Sequence, residues 1–288
     1  MMIRFGGVTI GGGAPLRLKT WEPPVTELRT DYQERLNRDG LLASRDWLGS
    51  ANWQFTVRVK KEGLAAALAE AARLENAWKK ASMRDSTTAA PLDYSFDGVA
   101  WQRVYGRPAA FAGITPDFVA SLGLGLLDLQ FTQLDPRHYS AAEHQAVIPV
   151  APASYGGIIA PLVAPITTVA SGVPRAGSID NAGDLPSPAR VVFKGPCRNP
   201  VLTTDAGYKI GYVGSIAYDQ TVTLSAWDST VIKSPPRASV AGDLDRRTRL
   251  SRLVVPAGHS EWYFEATDQT GTATATVYWR DSFTAMQH

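Results

Sequence analysis

Between Gln54 and Lys60 apolar and polar residues alternate strictly, with Phe55, Val57 and Val59 on one face and Gln54, Thr56, Arg58 and Lys60 on the other. A period of two predicts a half-buried strand. Directly afterwards the period changes. From Gly63 to Ala81, the residues Leu64, Ala67, Leu68, Ala71, Leu74 and Trp78 recur at helical spacing. They fall within an arc of roughly 120°, a stripe sized to cover a sheet. Glu75 lies inside that arc as the exception, and Glu62 and Glu70 precede Lys79 and Lys80, the order a helix dipole favours. Leu64, Leu68, Leu74 and Trp78 are therefore the candidate core stripe of a single helix.

The remaining periodic stretches read as strands. Met2 to Ile10 alternates around Gly6-Gly7 as a short hairpin, and a strand through Leu16 and Leu18 is expected to end at Glu22-Pro23-Pro24. Strands return from Pro91 to Asp135. There Val99-Ala100-Trp101 and Arg103-Val104-Tyr105 flank a turn region, and Leu127, Leu129 and Phe131 alternate with Asp128, Gln130 and Thr132. After Pro200 the alternation is cleaner: Val222, Leu224 and Ala226 oppose Thr221, Thr223 and Ser225. Trp262, Phe264 and Ala266 oppose Glu261, Tyr263 and Glu265, and Ala273 to Trp279 alternates in the same way. Turns such as Asp205-Ala206-Gly207 and Pro256-Ala257-Gly258 separate these runs. The fold class is mainly β. Residues 1–139 form an α+β domain with one helix (63–81) laid on a sheet, and residues 140–288 form an antiparallel β-sandwich.

Two stretches carry neither period. Thr26 to Asn52 is polar and dense in charge and turn residues. It reads either as an ordinary loop or as a functional one, since loops of this length are uncommon in compact domains. The second runs from Asp135 to Thr203. Asp135-Pro136 ends extended structure, and Gln145 to Pro174 carries no charge. So long an uncharged run raises a membrane span, but Pro149, Pro152, Pro161 and Pro165 each remove a helical hydrogen bond that lipid cannot replace. The stretch reads as an extended crossing that feeds the second domain, with Ile166 to Ala170 already a strand.

At 288 residues the chain is comfortable for two domains. Net charge is +2, and splitting after Asp135 gives 16 basic and 15 acidic residues before and 13 and 12 after. Neither half is basic enough to propose nucleic acid as a partner. Cys197 is the only cysteine, which excludes an internal disulfide framework and a cysteine-based zinc site. MMIRFGGVTIGGG lacks the apolar core of a secretion signal, so folding in a reducing cytoplasm is expected.

DPRHY (Asp135 to Tyr139), YGGIIAPLVAP (Tyr155 to Pro165) and GSIDNAGDLPSPARVVFKGPCRNPVLT (Gly177 to Thr203) follow one another in an order that resembles siphophage distal tail proteins, the minor tail proteins of actinobacteriophages in particular. In that family a D-P-x-x-Y closes the N-terminal domain. A G-G…P segment follows, and an N-x-G…P strand pair and a G-P…N-P strand open a galectin-like sandwich. RVYGRPAAF (Arg103 to Phe111), LDLQFTQLDPRHY (Leu127 to Tyr139) and the ending VPAGHSEWYFEATDQTGTATATVYWRDSF are similar to the family's closing strands. The resemblance implies a ring, commonly hexameric, that joins the tail tube to the baseplate hub. Its partners would be a tail tube protein, a tail hub or tail-associated protein, tape measure and receptor-binding proteins. Its location would be the virion tail tip, assembled in the bacterial host cytoplasm. In the family the position of Thr26 to Asn52 holds an arm that reaches a neighbouring subunit, which makes Arg29, Tyr32, Arg35, Leu41, Leu42 and Trp47 candidate inter-subunit residues.

No catalytic motif competes with this reading. The four histidines, His138, His144, His259 and His288, form no HExxH, so no metal is expected, and surface or packing roles are expected for the two beside the crossing. Gly211-Tyr212-Val213-Gly214-Ser215 does not fit a nucleophile elbow, and Gly123-Leu124-Gly125 lacks the third glycine of a dinucleotide site. No cofactor is expected. Two alternatives are a carbohydrate-binding module and a cell-wall hydrolase of a tail tip. His259 and Trp262 are the candidate sugar contact, while Glu261 and Glu265 on one strand face are more simply solvated acids than a hydrolase pair.

Overall fold

The computed structural model describes residues 1–61, 63–83, 89–113, 125–150, 177–268 and 270–287. The chain divides into two compact units, 1–141 with 283–288, and 142–282. The first division lies two residues from the expected boundary. The return of the last six residues to the first unit was not foreseen.

The first unit contains β1 (Met2–Phe5), β2 (Val8–Ile10), β3 (Leu16–Arg29), β4 (Tyr32–Glu34), β5 (Leu41–Ala43), β6 (Trp47–Val59), α1 (Leu64–Trp78), β7 (Ala90–Ser95), β8 (Gln102–Ala112), β9 (Gly125–Gln133) and β10 (His138–Ser140). Its main sheet runs β2-β1-β7-β8-β9-β6-β3 and is antiparallel throughout, with β10 also paired to β8. The expected β1–β2 hairpin forms, and its turn glycines Gly6 and Gly7 both take positive φ. β3 does not end at the prolines. It continues through Pro23 and Pro24 to Arg29, with a register shift between Glu22 and Val25. β3 is an edge strand, where a residue without an amide donor costs the sheet little.

α1 lies on this sheet, but its stripe is narrower than the sequence suggested. Ala67, Ala71, Leu74 and Trp78 are buried. At 100° per residue they span about 60° of arc, and Leu64 and Leu68 fall about 20° and 60° beyond its edge. These two leucines are 42% and 37% exposed, so they are not core. Trp78 anchors the helix: its ring meets Phe5 at 4.7 Å and Phe131 at 6.2 Å between centroids, and its Nε1–H donates to the Ala110 carbonyl at 3.0 Å.

Buried polar groups close the unit around β10. Tyr139 O–H donates to Asp135 Oδ2 at 2.6 Å, which gives the D-P-x-x-Y spacing a structural role. His138 Nδ1 lies 2.7 Å from the Tyr94 hydroxyl, and Gln102 Oε1 accepts both from Tyr94 O–H and from the Gln287 amide. Trp53 Nε1–H donates to Gln133 Oε1 at 2.9 Å.

The second unit contains β11 (His144–Pro149), β12 (Gly177–Asn181), β13 (Ser187–Pro188), β14 (Arg190–Lys194), β15 (Cys197–Thr204), β16 (Lys209–Gly211), β17 (Ser215–Ile216), β18 (Thr221–Ser225), β19 (Thr230–Ser234), β20 (Ala238–Ser239), β21 (Val254–Val255), β22 (Gly258–Thr267) and β23 (Thr274–Trp279). Two antiparallel sheets, β11-β23-β14-β18-β19-β20 and β12-β22-β15-β16, enclose one core. Phe193 of the first stacks on Phe264 of the second at 5.6 Å between centroids. The start of the supposed crossing is thus a sheet strand, since His144 to Pro149 pairs with Trp279 to Thr274. The expected strand Ile166 to Ala170 lies outside the described residues. The N-x-G motif is structural: Asn181 is buried, donates to the Leu185 and Pro256 carbonyls, and accepts from Gly183 N–H. A side chain at Gly183 would meet the Ser282 backbone at 2.0 Å.

Candidate assembly arm and sandwich surface

β9 pairs with β6 only from Ala51 to Val59, whereas β3 follows β6 out to the Arg29–Trp47 pair. Beyond Ala51 the two strands therefore form a ribbon with no third strand on the β6 side among the described residues. The ribbon continues through the Asp31 carbonyl, which accepts from Ser44 N–H, into the β4–β5 hairpin. Arg35 N–H donates to the Gly40 carbonyl across the tip, where Asn37 and Gly40 take positive φ. Thr26 to Asn52 is thus a β arm and not an irregular loop.

The arm has no core of its own. Among the described residues, eight of the seventeen large apolar side chains that remain exposed lie between Val25 and Leu48, including Leu36 at 93%. Scattered exposed leucines are ordinary, but a run of this density marks an interaction surface. All six candidate residues are exposed. Arg29 stands opposite Trp47, Leu42 opposite Gln33, Leu41 opposite Glu34, and Tyr32 opposite Ala43. The Arg45 guanidinium covers the Trp47 ring at 4.6 Å. Val25, Leu28, Leu36 and Leu48 were missed. Leu28 and Leu48 form a direct cross-strand pair, which no reading of the stretch as a loop could supply.

The candidate sugar contact does not form. His259 and Trp262 are three apart on β22, so alternation sends them to opposite faces. His259 is exposed, whereas Trp262 is fully buried and its Nε1–H donates to Ser260 Oγ at 3.1 Å. His259 Nδ1 lies 2.7 Å from Asp180 Oδ1, and that carboxylate raises the imidazole's pKa. Glu261 accepts from the Tyr263 hydroxyl at 2.7 Å, so it has an ordinary surface partner. Among the described residues no group of three or more His, Cys, Asp or Glu side chains could hold a metal ion. Cys197 is buried and its thiol is pushed up to about 11 by burial, far from a reactive thiolate.

No protein-family model and no curated protein matches the chain. Solved structures do. SPP1 Dit (gp 19.1), a hub adsorption apparatus protein of phages infecting Gram-positive bacteria, superposes with a TM-score of 0.59 over 98% of both chains at 12% identity. Chains of the phage P2 baseplate in its activated conformation with Ca and with Sr give TM-scores of 0.56 and 0.55, at 11% and 12% identity, each over 92% of this chain and 91% of theirs. The chain shares their fold.

Proposed function

We propose that this chain is a distal tail protein of a siphophage: a non-enzymatic structural part of the virion tail tip that forms a ring, commonly six-fold, between the tail tube and the baseplate hub. The likeness to Dit over the whole chain supports this reading, and the exposed apolar arm carries it. A ring needs a heterologous interface whose rotation closes, and an arm that leaves its own sheet supplies the donor half. The first unit is the ring-forming part. The second is a galectin-like sandwich that meets the hub, tail-associated, tape measure or receptor-binding proteins.

Electron microscopy of the purified protein at high concentration, alone and with the tail tube protein, tests the reading. Closed rings with a central opening are expected, together with a mass by light scattering that is a multiple of the chain's. Monomers under every condition, tube included, would overturn it.

A further inference from the structure

The first unit exposes a second apolar patch. Outside the arm, its exposed large apolar residues among the described ones are Leu64, Leu68, Val99 and Leu134. Val99 and Leu134 stand singly in sequence. Leu64 and Leu68 lie one turn apart on α1 and share its outer surface with exposed Ala65, Ala66 and Ala69. No charge occurs from Gly63 to Ala69. A helix resting on a sheet ordinarily carries charged residues on its outer face. This half of α1 instead offers methyl groups.

The arm of the same chain is badly placed to cover that patch. β6 leaves the arm at Trp47 and runs to Val59, and α1 begins soon afterwards at Leu64. Twelve residue steps at about 3.3 Å each separate the arm's root from the strand end that leads into the helix by about 40 Å. The hairpin β4–β5 then continues beyond the root. One apolar surface and one apolar projection thus stand at opposite ends of the same strand, which is the layout of a heterologous contact between copies. We propose that the Leu64–Leu68 face of α1 is the acceptor for the apolar arm of a second copy of this chain. Each copy gives one arm and receives one. The proposal rests on the ring reading above and adds to it the surface on which the arm lands.

Two variants test it in the full chain. Leu64→Lys/Leu68→Lys keeps good helix formers at solvent-facing positions, so the melting temperature should stay within a few degrees of wild type. The ring should dissociate at protein concentrations at least tenfold above those at which wild type does. In the second test, chains carrying Leu68→Cys are mixed with chains carrying Leu42→Cys under mild oxidation. Covalent dimers should form between the two kinds of chain and far less within either kind, and buried Cys197 leaves little background. Wild-type rings that persist in the double lysine variant without the mixed disulfide would overturn the acceptor face and leave the ring reading standing. Rings that form normally but no longer bind tube protein would assign the face to the tube, which also overturns the proposal. Absence of wild-type rings would instead remove the ring reading itself.

Discussion

His138 is enclosed by Trp53 and Tyr94, with its ring 6.3 Å and 5.9 Å from theirs between centroids. Because Gln102 Oε1 takes the Gln287 amide and the Tyr94 O–H, the Tyr94 oxygen is left to accept, and the neutral imidazole carries its proton on Nδ1. Burial lowers the His138 pKa to about 4, against an opposing pull from Asp135. The folded value lies below the unfolded one of about 6.5, so the native state resists protonation that the unfolded chain accepts. The resulting stability is complete above pH 6.5 and is lost as pH falls towards 4, by up to the order of 3 kcal/mol. Denaturant midpoints between pH 7 and pH 4 should fall for wild type, and His138→Gln should flatten that part of the profile; an unchanged slope would remove His138 as its source. His259 behaves oppositely. Asp180 raises its pKa, so any contribution is present at low pH and fades as pH rises, and full exposure keeps it small. The sequence left surface and packing roles open for His138, because burial there depends on Trp53 and Tyr94, which are remote in the chain.

α1 shows what periodicity settles and what it leaves open. A helix at this place was legible from the spacing alone, and Leu74 and Trp78 are buried as expected. The width of the buried stripe was not legible, since it depends on how squarely the helix meets the sheet. Trp78→Ala should cost about 3–5 kcal/mol, through lost packing on Phe5 and Phe131 and the lost hydrogen bond to the Ala110 carbonyl. Leu68→Ala and Lys80→Ala should each stay near 0.5 kcal/mol in the isolated chain. Chemical denaturation of the three variants checks this, and a Leu68→Ala loss comparable to that of Trp78→Ala would put Leu68 back in the core. The arm was only half legible. Its polarity and length marked it as unusual, but strand pairing from Val25 to Arg29 follows two prolines that sequence rules read as a stop. Only the edge position of β3 reveals why they are tolerated.

The units divide between Ala141 and Ala142, close to Asp135-Pro136 and ahead of the uncharged run, whose first residues already belong to β11 of the second unit. The return of 283–288 to the first unit was not legible in the sequence, because FTAMQH has no period. Met286 packs against the first core, and the Gln287 amide satisfies Gln102. A fragment of residues 1–141 therefore lacks part of its own unit. It should fold with the helix, the sheet and the arm, yet be less stable than the unit in the full chain by about 1 kcal/mol, since Gln102 Oε1 loses the Gln287 amide but keeps the Tyr94 O–H. Supplying residues 283–287 through a short flexible link after Ala141 should recover most of that loss. The fragment 142–282 has its own closed core and should fold as a monomeric β protein. Assembly separates the two: the arm and the leucine face of α1 both lie in residues 1–141, so the N-terminal fragment should form rings at high concentration and the C-terminal fragment should not. Analytical ultracentrifugation of both fragments decides the matter, and association confined to 142–282 would move the ring interface to the sandwich and leave the exposed arm without the role proposed for it.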